Sequence, residues 1–238
     1  MSFEIPQGQE KYDYVQSKFT EIAQKYDVFN DLITQGFHRY WKNYVCAQAA
    51  LKPGDQALDI CCGTGDITER LGQAVGPQGK VVGLDFSFGM LQVAKSRDLK
   101  SQRVYLQGDA MKLPIASEKF DAVTVGFGLR NLVRIEDCMA EVLRVLKPGG
   151  RFVVLDMGKV KIPVAKQVFR AYFHSVVPLV GKFLYPGQDM FDYFPASAEN
   201  YPSQEKLGEM LQGQGFEQVR FKNFHLGSTS VHVAFKPA

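Results

Sequence analysis

At 238 residues, 45% of them apolar and 22% charged, the chain has room for one well-buried α/β domain. A formal charge of +3, with Lys and Arg interspersed among acids, excludes the massed basic surface that a nucleic-acid partner needs. No stretch has the length of a membrane span or the form of a signal peptide, so the sequence reads as a soluble, cytoplasmic protein.

Over residues 1–52 the apolar residues keep helical spacing. Val15, Phe19, Ile22, Ala23 and Tyr26 share one face, and Trp41, Tyr44, Val45 and Gln48 continue the pattern until "LKPGD" stops it. Strands and helices then alternate. "QALDICC" is a predicted strand, and Asp66 is placed to cap the helix "ITERLGQAV". "KVVGLDFS" is the next strand, Ser87 caps "GMLQVAKSRDL", and "RVYLQGDA" and "FDAVTVGFGLRN" follow as strands. Ile135, Met139, Val142 and Leu146 lie on one side of the helix "IEDCMAEVLRVL", which "KPGG" ends before the fifth strand, "RFVVLDMG". Beyond it, Phe169, Tyr172, Phe173, Phe183, Tyr185, Phe191, Tyr193 and Phe194 crowd together with no strand pattern. "SQEKLGEMLQGQGF" is a helix capped by Ser203 and closed by Gly215, and "EQVRFKNF" and "STSVHVAFK" form an antiparallel pair. The expectation is a single α/β domain with a mostly parallel sheet covered on both faces and ligands at the carboxyl ends of its strands. It divides into a helical cover (1–52), a cofactor-binding core (53–158), an aromatic substrate cover (159–202) and a final helix with a β-hairpin (203–238).

"LDICCGTGDITERL" (58–71) carries the chemistry. The four cysteines, Cys46, Cys61, Cys62 and Cys138, contain no C-x-x-C pair, and adjacent Cys61 and Cys62 cannot comfortably share one tetrahedral zinc. They read as small packing residues, one facing the core and the other the opposite side, and no metal is expected. Gly63, Thr64 and Gly65 follow a strand and open a helix, with Asp85 twenty residues beyond Gly65 at the end of the next strand. A structural turn is the bland reading of two glycines, but this context suits a carboxylate on adjacent ribose hydroxyls. Thr68 replaces the third glycine of a dinucleotide loop, and Asp59 would repel a phosphate while favouring an ammonium or sulfonium group. Asp109 can accept from an adenine amino group, with Ala110 leaving room for the ring; a turn cap is the alternative. The loop therefore reads as the floor for S-adenosylmethionine.

Four stretches, "YDVFNDLITQGFHRYW" (26–41), "RVLKPGGRFVVLDMG" (144–158), "FGLRN" (127–131) and "HSVVPLVG" (174–181), resemble the menaquinone/ubiquinone biosynthesis C-methyltransferase family (UbiE/MenG type), within the class I S-adenosylmethionine-dependent methyltransferases. The resemblance implies a Rossmann-like seven-stranded sheet with an antiparallel last strand. It also implies cofactor contacts from Thr64, Asp85, Asp109 with Ala110, and Gly126, the last standing where the family often has Ser. Asp156 and Gly158 depart from the family's usual Glu and Ser. The implied reaction is methylation of a ring carbon on a lipid-tailed hydroquinone, and the "CCGTGD" loop looks more like the naphthoquinone branch.

Such a carbon becomes nucleophilic when the ring hydroxyl, with a pKa of ~10 like tyrosine, loses its proton. Arg130 is the candidate to stabilise the phenolate, with a sheet-end ion pair as the alternative. Asn131 either orients the hydroxyl or caps a turn, and His174 is the better base candidate among histidines that include His38, His225 and His232. The aromatic cluster is either core or a movable cover that touches a membrane surface, and Tyr12, Tyr26 and Phe29 are expected to face inward as the other wall. The partner is a lipid-tailed quinol, with transient membrane contact and a homo-oligomer both compatible with the sequence. Rival readings are a benzoquinol or small soluble acceptor, a nucleotide-dependent oxidoreductase, and a non-catalytic binding protein.

Overall fold

The computed structural model describes residues 3–98 and 103–238. Met1 and Ser2 of the stretch weighed as a signal peptide, and Leu99 at the end of the helix expected over 89–99, lie outside them. Three helices come first: α1 (Gly8–Ile22), α2 (Tyr26–Thr34) and α3 (Phe37–Ala49). The alternating part follows as β1 (Gln56–Ile60), α4 (Asp66–Val75), β2 (Lys80–Asp85), α5 (Phe88–Arg97), β3 (Arg103–Gln107), β4 (Phe120–Gly126), α6 (Ile135–Val145) and β5 (Leu146–Met157). The aromatic segment is helical: α7 (Pro163–Ala171), a π-helical turn (Tyr172–Val176), α8 (Val177–Leu184) and α9 (Met190–Asn200). Then come α10 (Gln204–Gly213), β6 (Glu217–Phe224) and β7 (Thr229–Phe235).

The seven strands run in the order β3-β2-β1-β4-β5-β7-β6. β1 to β5 are parallel, and β7 lies antiparallel between β5 and β6, as expected for the last strand. The order reverses between β1 and β4, which opens a crevice at their carboxyl ends.

Strand alternation builds two cores. Leu58, Ile60, Val123, Val125, Phe152 and Val154 pack with α6 and α10, while Ala57, Ala122, Val153 and Leu155 pack with α3 and α4. On this second face Asp59 and Thr124 are direct register partners, a polar pair inside an apolar layer. A third core joins the N-terminal helices to the aromatic segment through Phe19, Ile22 and Phe29 against Met90, Val177, Phe191 and Phe194. At Gly181 an added Cβ would come within 2.0 Å of the Phe191 ring, so glycine sets the close approach of α8 to α9.

Ser87 and Ser203 cap α5 and α10 as expected, their hydroxyls accepting from the Met90 and Lys206 backbone N–H groups. Asp66 is not a cap. Gly65, at φ +82°, holds that position, and the Asp66 carboxylate turns instead to Lys42 and Arg70. "KPGG" ends α6 but does not separate it from β5, because the strand already starts at Leu146 and bends through Gly149 at φ +73°.

Candidate functional site

β1 stops at Ile60, and Cys61 and Cys62 turn away from it, Cys61 with φ +50°. Neither cysteine therefore takes the alternating strand direction expected for it. Both are free and half-buried, and burial pushes both thiols far up, so neither is a thiolate. The turn continues through Gly63 (φ +55°) and Gly65 (φ +82°), and the Gly63 N–H donates to Asp85 Oδ2 at 2.8 Å. Thr64 is tied to α2, its hydroxyl donating to Asp27 at 2.8 Å. A cleft, about 950 Å³ with its open space, lies over this loop, bounded also by Asp85, by Asp109 and Ala110 after β3, and by Gly126 at the end of β4. Tyr12, Phe19 and Tyr26 from α1 and α2 close its other side, so Tyr12 and Tyr26 face inward as expected.

The three carboxylates differ in what they can still bind. Asp59 is buried, with each oxygen already accepting a hydroxyl: Thr68 at 2.6 Å and Thr124 at 2.7 Å. It borders the cleft, where its charge can act on a cation, and burial pushes its carboxyl up to about 6. Asp85 is also buried and held up at about 6 by desolvation, against the backbone donors Ser87 and Gly63. Each Asp85 oxygen takes one of those donors, so each keeps a lone pair for a ligand hydroxyl. Asp109 accepts the Met111 N–H at 2.8 Å through Oδ1, as the turn-cap reading expected, and still borders the cleft. At Gly126 a side chain would meet Ile67 at 2.6 Å, so Ile67 occupies the room a serine would take.

A second cleft, about 1970 Å³ with its open space, is walled by α2, α3, α7 and the π-helical turn. Its lining is chiefly apolar: Phe29, Ile33, Trp41, Phe169, Tyr172 and Phe173 among others. Tyr26, Asn30, Lys42 and Phe127 border both clefts and mark where they meet. The aromatic cluster thus splits by place. Phe191 and Tyr193 are buried core, Phe169, Tyr172 and Phe173 line the second cleft together with the buried Phe194, and Phe183 is 83% exposed.

Arg130 borders the second cleft but forms the ion pair held as its alternative, donating to Asp156 at 2.6 Å with both groups buried. Burial disfavours the guanidinium charge, and Asp156 outweighs it, so the pKa is raised. Asn131 borders the first cleft, its amide donating to the Phe127 carbonyl and accepting from the Tyr193 hydroxyl at 3.2 Å. His174, the base candidate, is not brought to the other candidate residues. It borders neither cleft, and its Nε2 meets Glu199 on the surface at 2.9 Å. Sequence reasoning missed Lys42, which is buried and pairs with Asp66 at 2.8 Å. The available signal was a charged residue within the helical stripe Trp41, Val45 and Ala49, which normally excludes one.

Residues 7–236 match the ubiE/COQ5 methyltransferase family. A demethylmenaquinone methyltransferase of Leptospira interrogans is 43% identical over 99% of this chain and 98% of its own length. One from Staphylococcus aureus is 40% identical over 94% and 93%. Among solved structures, a SAM-dependent methyltransferase from Aquifex aeolicus superposes with a TM-score of 0.61 at 20% identity, covering 82% of this chain and 89% of that one, a likeness of fold.

Proposed function

The chain belongs to the ubiE/COQ5 methyltransferase family, and from that premise we propose that it methylates a ring carbon of a lipid-tailed demethylnaphthoquinol in quinone biosynthesis. It is an S-adenosylmethionine-dependent methyltransferase. The observation that carries the substrate reading is the junction itself. A cleft edged by strand-end carboxylates opens, at Tyr26, Asn30, Lys42 and Phe127, into an apolar cleft wide enough for a bicyclic ring and the start of a tail.

The first cleft fits the methyl donor. Asp85 keeps two lone pairs for ribose hydroxyls, Asp109 and Ala110 flank the place for the adenine, and the turn at Gly63, Thr64 and Gly65 leaves open space above Gly63. Asp59 adds negative field at the foot of β1, and Gly126 forms the wall where a side chain would intrude. When bound, S-adenosylmethionine supplies an electrophilic methyl group on a cationic sulfur. The residues at the junction align the acceptor ring with that methyl group and exclude water from the path between them. Lys42, whose partner Asp66 is shared with Arg70, leaves positive charge beside an oxyanion on the ring, while Asp156 offsets the charge of Arg130. The exposed side of α7 and α8 provides a lipid-facing surface, which makes contact with a membrane peripheral and transient.

Release of S-adenosylhomocysteine across a panel of reduced quinones tests this reading. Demethylnaphthoquinols should turn over fastest; preference for a benzoquinol would move the substrate to the other branch. Turnover only with small soluble acceptors would overturn it.

A further inference from the structure

One side chain bordering the apolar cleft, His38, carries a buried acceptor atom that accepts from nothing among the described residues. His38 lies on α3 one turn before Lys42, and its side chain is buried with 3% exposure. Its Nε2 is 2.8 Å from Asp31 Oδ1. Arg39 donates to both Asp31 oxygens and holds that carboxyl down at about 2. Asp31 is therefore an anion with no proton to give, so in a neutral imidazole the hydrogen resides on Nε2. Nδ1 is left as a bare lone pair, buried and without a partner among the described residues. Folded proteins rarely leave such an acceptor unsatisfied without a use for it.

The other histidines do not share this arrangement. His232 also has an unpartnered Nδ1, but its Nε2 meets the Gln204 carbonyl and it borders neither cleft. His225 borders the apolar cleft from an exposed position, with its ring against Phe37 and Trp41. The charges acting on His38 are Asp31 from α2, Lys42 from its own helix and Asp66 from α4, with Arg130 elsewhere on the cleft wall. Burial, and then Lys42, hold the imidazolium back more strongly than the carboxylates favour it, so the ring is neutral at pH 7.

Resting on the quinol reading above, we infer that His38 is the general base that takes the ring-hydroxyl proton, and that Lys42 steadies the resulting oxyanion. The Nδ1 lone pair forms the new N–H bond while the oxygen keeps the O–H electron pair. That density reaches the adjacent ring carbon, which forms its bond to the methyl group as the S–CH3 bond breaks with its pair on sulfur. The ring C–H proton then leaves to water at the open side of the cleft, its electron pair restores the aromatic ring, and Nδ1–H returns its proton to oxygen. One proton is released per turnover, and His38 ends neutral.

Long-range proton–nitrogen NMR of the intact protein reads the tautomer directly, independently of any substrate. His38 should carry its hydrogen on Nε2 below and above pH 7, and a hydrogen on Nδ1 would overturn the assignment. His38→Gln should lower kcat by roughly a hundredfold, leave quinol KM and S-adenosylhomocysteine affinity within about twofold, and remove the acid limb of the kcat/KM profile. With S-adenosylmethionine saturating at every pH, so that Asp59 and Asp85 add no slope, an acid limb that survives in His38→Gln, or a loss confined to KM, would sink the proposal. Should that variant fail to fold, Asp31→Asn decides. Its amide donates to Nε2, moves the hydrogen to Nδ1 and should also cost at least tenfold in kcat; an undiminished rate with the tautomer reversed would refute the base role. If the wild-type protein turned over no quinol while keeping the Nε2–H tautomer, the substrate reading would fail rather than the state of His38.

Discussion

Asp59 and Asp85 sit at the carboxyl edge of the sheet, and burial pushes each up to about 6. A cationic donor whose ribose hydroxyls need an ionised acceptor favours the deprotonated forms, so its binding expels protons. Affinity for S-adenosylmethionine should therefore rise with pH through about 6, by roughly tenfold per responding carboxylate between pH 5 and pH 7. The ligand-free fold carries the opposite slope from the same two groups. They are protonated in the fold and ionised in the unfolded chain between about pH 4 and 6, so their contribution to stability falls as pH rises across that window. Calorimetry at pH 5, 6 and 7 with the wild type and Asp85→Asn checks both signs, and a flat wild-type affinity would count against Asp85 as the ribose acceptor. Arg130 calls for a different reading of the same kind of test. Its partner Asp156 is 1% exposed, so Arg130→Leu strands a buried carboxylate and should cost about 3–5 kcal/mol in stability. Pairing it with Asp156→Leu should recover most of that in denaturant unfolding. Loss of turnover in the single variant is informative only beside this measurement.

α1 acts as a strap over the donor cleft. Lys11 reaches from it to the carbonyls of Leu132 at 2.6 Å and Arg130 at 3.2 Å, Gln16 donates to the Phe86 carbonyl, and Thr20 meets the Ser87 hydroxyl. A charge-assisted hydrogen bond contributes about 1.5–3 kcal/mol. Lys11→Met should lower stability by up to that amount and speed S-adenosylhomocysteine dissociation by roughly tenfold, which stopped-flow displacement measures; an unchanged off-rate would show that α1 does not gate the cleft. The central strands were legible because β1, β2 and β4 are short apolar runs that alternate in face. The floor was legible too, since Gly63, Gly65 and Asp85 are local to one β-loop-α-β unit. Contacts between distant segments were not. Arg130 meets Asp156 only because β4 and β5 are neighbours, and Lys42 meets Asp66 only because α3 packs on α4. His174 was not legible either: it follows Phe173 in the π-helical turn and meets Glu199 of α9, outside the cleft that Phe169, Tyr172 and Phe173 line.

At the scale of the molecule, the apolar cleft is bordered by Val164 and Val168, which are also exposed on α7 at 72% and 66%. Leu179 and Phe183 repeat the pattern one helix later at 70% and 83%. A tail leaving the cleft would pass this ridge, which is the surface expected to rest in a bilayer. Five cations and no acid occur between Met157 and Gln188, which by composition suggests attraction to anionic lipid. The folded chain argues otherwise. Four of the five are engaged: Lys161, Arg170 and Lys182 are paired with Glu205, Glu199 and Asp192, and Lys159 is directed to backbone carbonyls of α9, which leaves Lys166. Contact should then depend on apolar insertion, with little sensitivity to lipid charge or salt. Leu179→Ser with Phe183→Ser removes burial worth on the order of 3 kcal/mol and should weaken vesicle binding about a hundredfold. Neither residue borders a cleft, so turnover of a short-tailed soluble quinol should stay unchanged while turnover of a vesicle-borne long-tailed one falls. Flotation on neutral and anionic vesicles separates the two forces: binding that appears only with anionic lipid and vanishes in salt would transfer the role from the apolar ridge to the lysines.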